Sequence, residues 1–572
     1  MAGSWKSLTG KHAPAFGAST MLLLTDGRVL CQEVNSTSWF ALTPDSYGRY
    51  DLGTWSAVAS AKTPRLYYAS ALLRDGRVFV AGGEYAPNSG DDSNSVEIYD
   101  PVANTWTQKP PPAGWDQIGD APCCLLPDGR LLIGNINDTR TAIYDPVGDA
   151  WSATGAKGDR SSEETWTLLR DGSVLTVDCN PPTNPDGSFQ MASQRYRPAT
   201  GTWVDAGSTA VDLVDHDFST EMGPAVLLPN GHVIAFGGNG HTAVYAPPSS
   251  PAGTGTWSAG PDLPNGSDGV RMTLRDGPAA LLPNGKVLSC GGLGTQGWGG
   301  STSFVEYDPA TNTLAVVGSP PNSNHHPFEG RMLLLPTGQV LYTTGAAAAY
   351  LYTPGGVHSE KTEPAITGVD DYLMPGDSYR VDGRRFNGMS QAVSYGDDCS
   401  AATNYPLARL EYEDETVVYC RTRRHSTMGV ATGPHVVHTI IDVPPSAPPG
   451  EAELFIVANG VPSDPREVTV LPDWWVNIPW AQVWEILIGS LADGPLWVIG
   501  PDGKPHPVPP LGPDRMAKEA AGALRAMVNS VVQLRELGRE LQVAQVQAAA
   551  EALRAGAGRQ LKVGPAERPV KV

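Results

Sequence analysis

The sequence predicts an all-β chain whose main body is a seven-bladed β-propeller, and three observations predict it. A short phrase of apolar residues around a glycine turn recurs seven times along the first two thirds of the chain. Glycine pairs, Tyr-x-Pro corners and tryptophans follow that phrase at matching places. Gly (64) and Pro (51) make up about a fifth of the 572 residues, which is typical of many turns between short strands.

The recurring phrase predicts the first hairpin of each blade. It sets two apolar residues before Asp-Gly, Asn-Gly or Thr-Gly and an apolar run after it, as in Leu23–Val29. Such a dipeptide between apolar runs favours a two-residue hairpin with a type I′ turn. The seven turn glycines are Gly27, Gly76, Gly129, Gly172, Gly231, Gly285 and Gly338.

Two further strands complete each predicted unit. The second strand often ends in a glycine pair, as at Gly82-Gly83, and the third ends in Tyr-x-Pro, as at Tyr99-Asp100-Pro101. A tryptophan marks the fourth strand in five units: Trp55, Trp106, Trp151, Trp203 and Trp257. Four strands that recur at a period of roughly 50 residues are typical of kelch repeats.

The first residues of the chain are predicted to close the ring. The seventh unit ends near Tyr352 without a tryptophan strand. Gly3-Ser4-Trp5-Lys6-Ser7-Leu8 resembles that missing strand and precedes the first unit. We therefore expect residues 3–8 to complete blade seven and the propeller to span residues 1–358.

Three segments follow the predicted ring. Residues 359–471 read as short strands between turns, which predicts an early-set, Ig-like β-sandwich. Residues 472–513 form a Trp-rich linker, and residues 514–572 are rich in Ala, Leu, Glu, Gln and Arg with an apolar three–four spacing, which predicts an α-helical tail. The extension either packs on its own chain or forms a surface for a protein partner or for self-association. The residues predicted to bind there are Trp474, Trp475, Trp480, Trp484, Trp497, Leu524, Val531 and Leu534.

Charge and composition exclude several classes of function. The formal net charge of −20 gives an acidic surface that repels phosphates, so no nucleic-acid partner is expected. No apolar stretch is long enough to be a transmembrane segment, and the N-terminal residues do not read as a signal peptide. We therefore expect a cytoplasmic protein, with export as part of a larger particle left open. The seven cysteines are scattered, and only Cys399 and Cys420 are considered as a pair.

The order of a kelch ring and an early-set sandwich resembles the galactose oxidase and glyoxal oxidase family. The phrases Leu333-Leu-Leu-Pro-Thr-Gly-Gln-Val and Ala458-Asn-Gly-Val-Pro-Ser carry this resemblance over about residues 1–471. It implies copper ligands and a Cys–Tyr crosslink on the propeller axis. In this chain the cysteine position falls at Tyr67, the crosslinked tyrosine at Asp120 and the Tyr-His pair at Phe328-Glu329. The sandwich histidine would fall near Thr403-Asn404, so the copper radical set is not matched and whether the chain is an enzyme is left open.

Acidic residues take the corresponding axial positions. The residues nine before the turn glycines are Ala18, Tyr67, Asp120, Glu163, Met222, Asp276 and Glu329, with Glu221 and Glu164 beside them. Inner strands of a propeller converge, so we predict an axial acidic row of Asp120, Glu163, Glu221, Asp276 and Glu329. This row suits Ca²⁺ or another divalent cation, a cationic ligand, or hydrogen bonds to backbone amides around a water-filled channel. The auxiliary residues considered with the row are Tyr67, His325, His326, Asn404 and His425.

Three functions are compatible with these features. The first is a non-oxidase kelch propeller that acts as a binding or scaffold component of a multi-protein assembly, through its propeller loops and C-terminal tail. The second is a metal-dependent enzyme that uses the axial acidic row. The third is an oxidoreductase similar to the copper radical oxidases, which rests on the fold resemblance alone.

Overall fold

A computed structural model of the chain describes residues 3–84, 92–216, 218, 220–295, 297–298, 300–321, 323–395 and 401–472. It also describes the backbone of three strands at 496–499, 505–507 and 561–563. The fold is all-β with a seven-bladed propeller, as predicted. Among the described residues, no helix has the length and hydropathy needed to span a bilayer.

Each blade is an antiparallel sheet of four strands, numbered here from the inner strand outward. The first four blades are β2 (Ala18–Leu23), β3 (Val29–Glu33), β4 (Trp39–Thr43), β5 (Thr54–Ala57); β6 (Ala69–Leu72), β7 (Val78–Ala81), β8 (Val96–Asp100), β9 (Thr105–Lys109); β10 (Cys123–Leu125), β11 (Leu131–Asn135), β12 (Asp138–Asp145), β13 (Ala150–Ala153); and β14 (Thr167–Leu168), β15 (Val174–Val177), β16 (Ala192–Arg197), β17 (Thr202–Ser208). The last three are β18 (Met222–Leu227), β19 (Val233–Gly237), β20 (Thr242–Ala246), β21 (Thr256–Ala259); β22 (Ala279–Leu281), β23 (Val287–Gly291), β24 (Ser303–Asp308), β25 (Thr313–Val317); and β26 (Arg331–Leu334), β27 (Val340–Thr343), β28 (Ala349–Thr353) with β1 (Ser4–Ser7). Three short 3₁₀ helices lie at Gly10–His12, Pro327–Glu329 and Glu360–Thr362.

The N-terminal strand β1 is the outer strand of blade seven, where it pairs with β28 in the register Trp5↔Tyr352. Trp5 packs on Phe304 and Tyr352 with ring centroids 4.7 and 4.9 Å away. Its indole donates a hydrogen bond to the carbonyl of Gly318 in the segment that follows blade six. The ring is therefore closed by strands from both ends of the propeller sequence.

Where an outer strand carries a tryptophan, the indole bonds the preceding blade or the segment that follows it. The indole of Trp106 in blade two donates to the Ala59 carbonyl, which follows blade one, at 2.8 Å. Trp151 makes the same bond to Pro110 at 2.8 Å, and Trp55 makes it to His12 at 3.0 Å. The repeat of this residue in the sequence is thus the repeat of one contact between neighbouring blades.

The turn between the first two strands differs from the predicted type I′ turn, and that prediction is wrong. In blade one the Leu24 amide donates a hydrogen bond to the Arg28 carbonyl, and the Gly27 amide donates one to the Leu24 carbonyl. Gly27 has φ 81°, whereas Asp26 is not among the residues with positive φ. The Asp26 carboxylate instead accepts a bond from the Arg28 amide at 3.2 Å. A single left-handed glycine and an acidic side chain that bonds the amide two residues on therefore shape the hairpin.

The chain folds into two compact units. The first comprises residues 1–370, 378–442 and 453–466. Beyond the ring it holds strands in the order β29-β31-β35-β34-β33-β36, a curled sheet in the region where the sequence predicted a sandwich. The strands of that region are β29 (Ala365–Gly368), β31 (Ser378–Arg384), β32 (Val393–Ser394), β33 (Leu407–Tyr412), β34 (Val417–Arg423), β35 (Val437–Asp442), β36 (Gly450–Ala458) and β37 (Val461–Pro462).

The second unit comprises residues 371–377, 443–452 and 467–572. In it β30 (Tyr372–Leu373) pairs in parallel with Thr469 and Val470 of β38 (Arg466–Val470). A further sheet has the order β40-β39-β41, with β39 (Leu496–Ile499), β40 (Pro505–Pro507) and β41 (Leu561–Val563). The tryptophans Trp474, Trp475, Trp480 and Trp484 and the predicted helix with Leu524, Val531 and Leu534 lie outside the described residues; only the backbone of Trp497 is described.

Candidate functional site

The ring has two different ends. The glycine turns that join the first and second strands of each blade lie at one end of the ring, which we call the turn end. The inner strands begin at the other end, which also carries the loops between second and third strands; we call it the loop end. In the first unit the turn end is contacted by the curled sheet, since Arg421 donates to Asp75 at 2.9 Å and Met428 donates to Pro127 at 2.9 Å.

The axial positions lie at the loop end, just before the inner strands begin. Three of them share an unusual backbone: Tyr67, Glu163 and Asp276 have φ of 47°, 67° and 44°. Left-handed backbone is uncommon for residues other than glycine and is held in place by its surroundings. The equivalent positions of blades two, four and six are therefore built alike.

Three of the five predicted acids come together. Glu163, Glu221 and Asp276 each offer a carboxylate oxygen, and these oxygens lie within 4.8 Å of one another. Glu221 is buried and the other two are half-buried. Burial raises the pKa of Glu163, although its side-chain hydrogen bond with Glu221 opposes that effect. We call these three residues the acid trio.

The other two predicted acids are placed differently. Asp120 is buried but is not a member of the acid trio. The Glu329 carboxylate accepts a hydrogen bond from the His326 amide at 2.9 Å and caps the 3₁₀ helix Pro327–Glu329. Glu329 thus bonds a backbone amide, one of the alternatives that its sequence position allowed.

The histidines considered with the row have other contacts. His325 Nε2 lies 3.2 Å from the Tyr342 hydroxyl and its Nδ1 lies 3.0 Å from the His326 carbonyl, while burial lowers its pKa. The His326 ring stacks on Phe328 at 5.3 Å. His425 is buried, and its ring lies beside the Thr439 hydroxyl. Arg74 of a turn-end hairpin donates a hydrogen bond to the His425 carbonyl. Burial lowers the pKa of the His425 ring to about 3.

Asn404 does not reach the loop end. Its side-chain amide donates to the carbonyls of Met428 and Gly429 at 2.7 and 3.2 Å. The segment Ser390–Tyr395 enters the ring instead, because β32 pairs with β22 through Ala279↔Ser394. The Gln391 side chain accepts a bond from the Leu168 amide of blade four at 2.8 Å. Sequence reasoning missed this segment, since a two-residue strand leaves no periodic signal.

A buried arginine also stands at the axis. The Arg331 guanidinium lies 3.9 Å from the Tyr395 ring centroid and 5.7 Å from that of Tyr67, and it donates to the Phe328 carbonyl at 2.6 Å. Arg331 opens the last inner strand two residues after Glu329. Arg331 is a basic residue next to the predicted acidic row, and the sequence analysis considered only the acids of that row.

Next to the acid trio, blade four holds a buried ion network. Lys157 Nζ lies 2.5 Å from Asp159, 3.0 Å from Glu164 and 2.9 Å from Asp178. Burial lowers the pKa of Lys157, but attraction by the three carboxylates outweighs it and leaves that pKa raised. Burial raises the pKa of Glu164 to about 8. We call these four residues the Lys157 network.

Four aromatic rings form a contiguous arc at the loop end. The rings pack edge-on against one another. The ring centroids of Phe218 and Trp298 are 5.0 Å apart, those of Trp298 and Phe328 are 5.2 Å apart, and those of Phe328 and Tyr67 are 6.4 Å apart. Phe218 is 45% exposed, and the other three rings are half-buried. We call these rings the aromatic arc.

The residues present do not fit the copper site that the oxidase resemblance implies. A copper radical site needs imidazole ligands and a tyrosine joined to a cysteine. Tyr67 stands where the cysteine would lie, and its ring contacts Phe328 and faces Arg331. Among the described residues the other ligand positions hold Asp120, Phe328, Glu329 and Asn404. The donors of the acid trio are carboxylates, which suit hard cations rather than Cu(II).

Comparisons with known proteins agree with the ring. The Kelch motif profile matches residues 65–113, which contain blade two. An F-box/kelch-repeat protein of Arabidopsis thaliana is 43% identical over 185 residues, 31% of this chain and 41% of that protein. A second is 38% identical over 52 residues, 9% of this chain and 15% of that protein. The chain spans less than half of the length of these curated relatives.

Similar solved structures include two kinds of protein. A fungal alcohol oxidase of the AA5 family, in complex with copper, has a TM-score of 0.47 and 15% identity, covering 82% of this chain and all of its own. Virginiamycin B lyase from Staphylococcus aureus has a TM-score of 0.40 and 11% identity, covering 61% of this chain and 98% of its own. With the motif match and seven four-stranded blades, the chain is a kelch-repeat β-propeller protein.

Proposed function

We propose that this propeller is a protein-binding component and that its partner docks on the loop end of the ring. The observation that carries this proposal is the exposure of Phe189 (44%) and Phe218 (45%). Both belong to loop-end segments, of blades four and five. Exposed aromatic rings are enriched where proteins bind one another, and large apolar patches on a surface mark such sites.

Two further apolar side chains at the loop end are exposed. Met191 is 37% exposed and Val270 is 44% exposed, and both belong to loop-end segments. The Phe189 ring stacks on His216 at 3.5 Å, which holds it in one orientation. A fixed aromatic ring loses little conformational entropy on binding, so it is suited to anchor a partner.

The relatives support the same kind of function. The matched Arabidopsis proteins are named for kelch repeats together with an F-box. We propose that the kelch ring of this chain serves as an interaction module within an assembly. The C-terminal extension stays part of the proposal as a second docking element.

Site-specific photo-cross-linking tests the loop end. A photoreactive phenylalanine is placed at position 189 or 218, and the matched control is placed at Tyr47, which is 47% exposed in a turn-end loop. We expect a discrete cross-linked partner from the native cell at 189 and 218 and not at 47. Excess unlabelled protein should compete, whereas the F189A/F218A variant should not. The same product from all three positions, or equal competition by the variant, would refute a loop-end binding face.

The contribution of the extension is measured separately. Full-length protein and a variant lacking residues 472–572 are compared by size-exclusion chromatography with light scattering, and by the same cross-linking. A larger assembly only for the full-length chain would support self-association through the tail. Two monomers with identical cross-links would remove the tail from the proposal and leave the ring in it.

A further inference from the structure

The loop end joins an aromatic surface to an acidic one. Glu221 of the acid trio lies three residues after Phe218 of the aromatic arc. Asp276 follows Arg275, whose guanidinium lies 4.9 Å from the Phe218 ring centroid. Both features therefore converge on the start of the inner strands of blades five and six.

Rings at this end already pair with guanidinium groups. Arg275 lies over Phe218, and Arg331 lies between Tyr67 and Tyr395. Arg275 is held by an ion pair with Asp215 and by a bond to the Gly297 carbonyl. The aromatic faces thus accept planar cations inside the chain, which is the contact that an arginine side chain of a partner would repeat.

The carboxylates beside the aromatic arc favour the same class of ligand. Three carboxylates stand within 4.8 Å of one another beside the arc. The chain as a whole carries a net charge of −20, which attracts a basic segment over distance. An apolar ring surface and three neighbouring carboxylates together complement a side chain that is planar, partly apolar and positive, and the nearby Arg275 is already paired with Asp215.

We propose that the loop end binds an arginine-containing basic segment of the protein partner, with its guanidinium on the acid trio and its methylene groups on the aromatic arc. This inference rests on the proposed function and specifies the chemistry of the partner. The half-exposed Phe218 marks the outer part of this site, and the buried Glu221 marks its floor.

Fluorescence anisotropy with short labelled peptides tests the proposal. One peptide carries two arginines in a Gly-Ser background, and a second replaces them with citrulline, which keeps the shape and removes the charge. We expect the arginine peptide to bind about tenfold more tightly or better, and salt to weaken it. The E221Q/D276N variant should lose about tenfold in affinity, whereas D128N/D414N, which removes two exposed carboxylates elsewhere, should not.

A second variant keeps the test independent of folding. F218A removes an exposed ring, so the protein should keep its melting temperature and still lose affinity for the arginine peptide. Equal binding of arginine and citrulline peptides would overturn the inference. Calorimetric binding of Ca²⁺ or Mg²⁺ that is lost in E221Q/D276N, without arginine binding, would also overturn it in favour of a metal site. Both of these results leave the proposed function intact as long as the cross-links at positions 189 and 218 are observed. Absence of those cross-links would refute the proposed function, whatever the peptides show.

Discussion

Replacing Lys157 with methionine should be among the most damaging single changes to the ring. The substitution keeps the length of the side chain but removes an ammonium that lies 2.5, 3.0 and 2.9 Å from three buried carboxylates. Removing one partner of a buried ion pair costs about 3–5 kcal/mol, because the remaining charge has neither solvent nor counterion. We expect a loss of that size in the free energy of unfolding at pH 8.

The loss should depend on pH in a defined direction. Burial raises the pKa of Glu164 to about 8 in the folded state, above its ordinary value of 4.5. Such a carboxyl group stabilises the fold fully below pH 4.5, and this contribution is lost as the pH rises through 8. Lys157 opposes the protonation of Glu164, so in K157M this carboxyl group binds a proton more readily, and it does so more completely at pH 5 than at pH 8. The deficit relative to wild type should therefore be smaller at pH 5.

Urea unfolding followed by tryptophan fluorescence measures both effects. The matched control is K6M, because Lys6 pairs with Asp51 at the surface with a side chain that is 64% exposed, and its loss should stay within about 1 kcal/mol. Adding E164Q to K157M should restore part of the stability by removing one buried charge. A K157M deficit below about 1 kcal/mol at pH 8, or one that is equal at pH 5 and pH 8, would refute this account of the network.

Two further predictions concern the closure of the ring and the chemistry of its axis. W5A removes the contacts with Phe304 and Tyr352 and the bond to Gly318, so the free energy of unfolding in urea should fall by about 3 kcal/mol. The control V147A changes a residue that is 94% exposed, and equal losses would show that β1 does not hold blade seven. Aerobic loading with Cu(II) should give neither alcohol oxidation, followed by peroxide release, nor a Cys–Tyr crosslink, followed by intact mass. Either signal would show that the axial positions have been matched wrongly.

The ring could be predicted because the same sequence features recur from one blade to the next. The same turn glycine and the same tryptophan recur in successive units, and each recurrence corresponds to one hairpin or one contact between neighbouring blades. Trp5 could be assigned to blade seven because its residue type matched the missing strand. The turn type was predicted wrongly because Asp-Gly was taken as the two-residue hairpin that it often forms. The Asp26 carboxylate bonds the Arg28 amide and favours the longer turn.

The candidate site was predictable only in outline. Convergence of inner strands brings Glu163, Glu221 and Asp276 together whatever their separation in sequence, and their distance from the turn glycines was enough to find them. The partners of each acid depend on loop geometry that leaves no repeated signal. Lys157 contacts Glu164 from seven residues earlier in the sequence, and Glu329 caps its own 3₁₀ helix.

The two acidic groups of the loop end illustrate why a carboxylate count alone does not define a site. Asp159, Glu164 and Asp178 are buried and surround Lys157, so blade four supplies a cation to this cluster. The acid trio is less deeply buried and opens beside half-exposed aromatic rings. A buried cluster around a lysine stabilises the blade, whereas the acid trio lies near exposed rings that a partner can contact. This difference in burial and surroundings, rather than the number of acids, is what points the binding proposal to Glu163, Glu221 and Asp276.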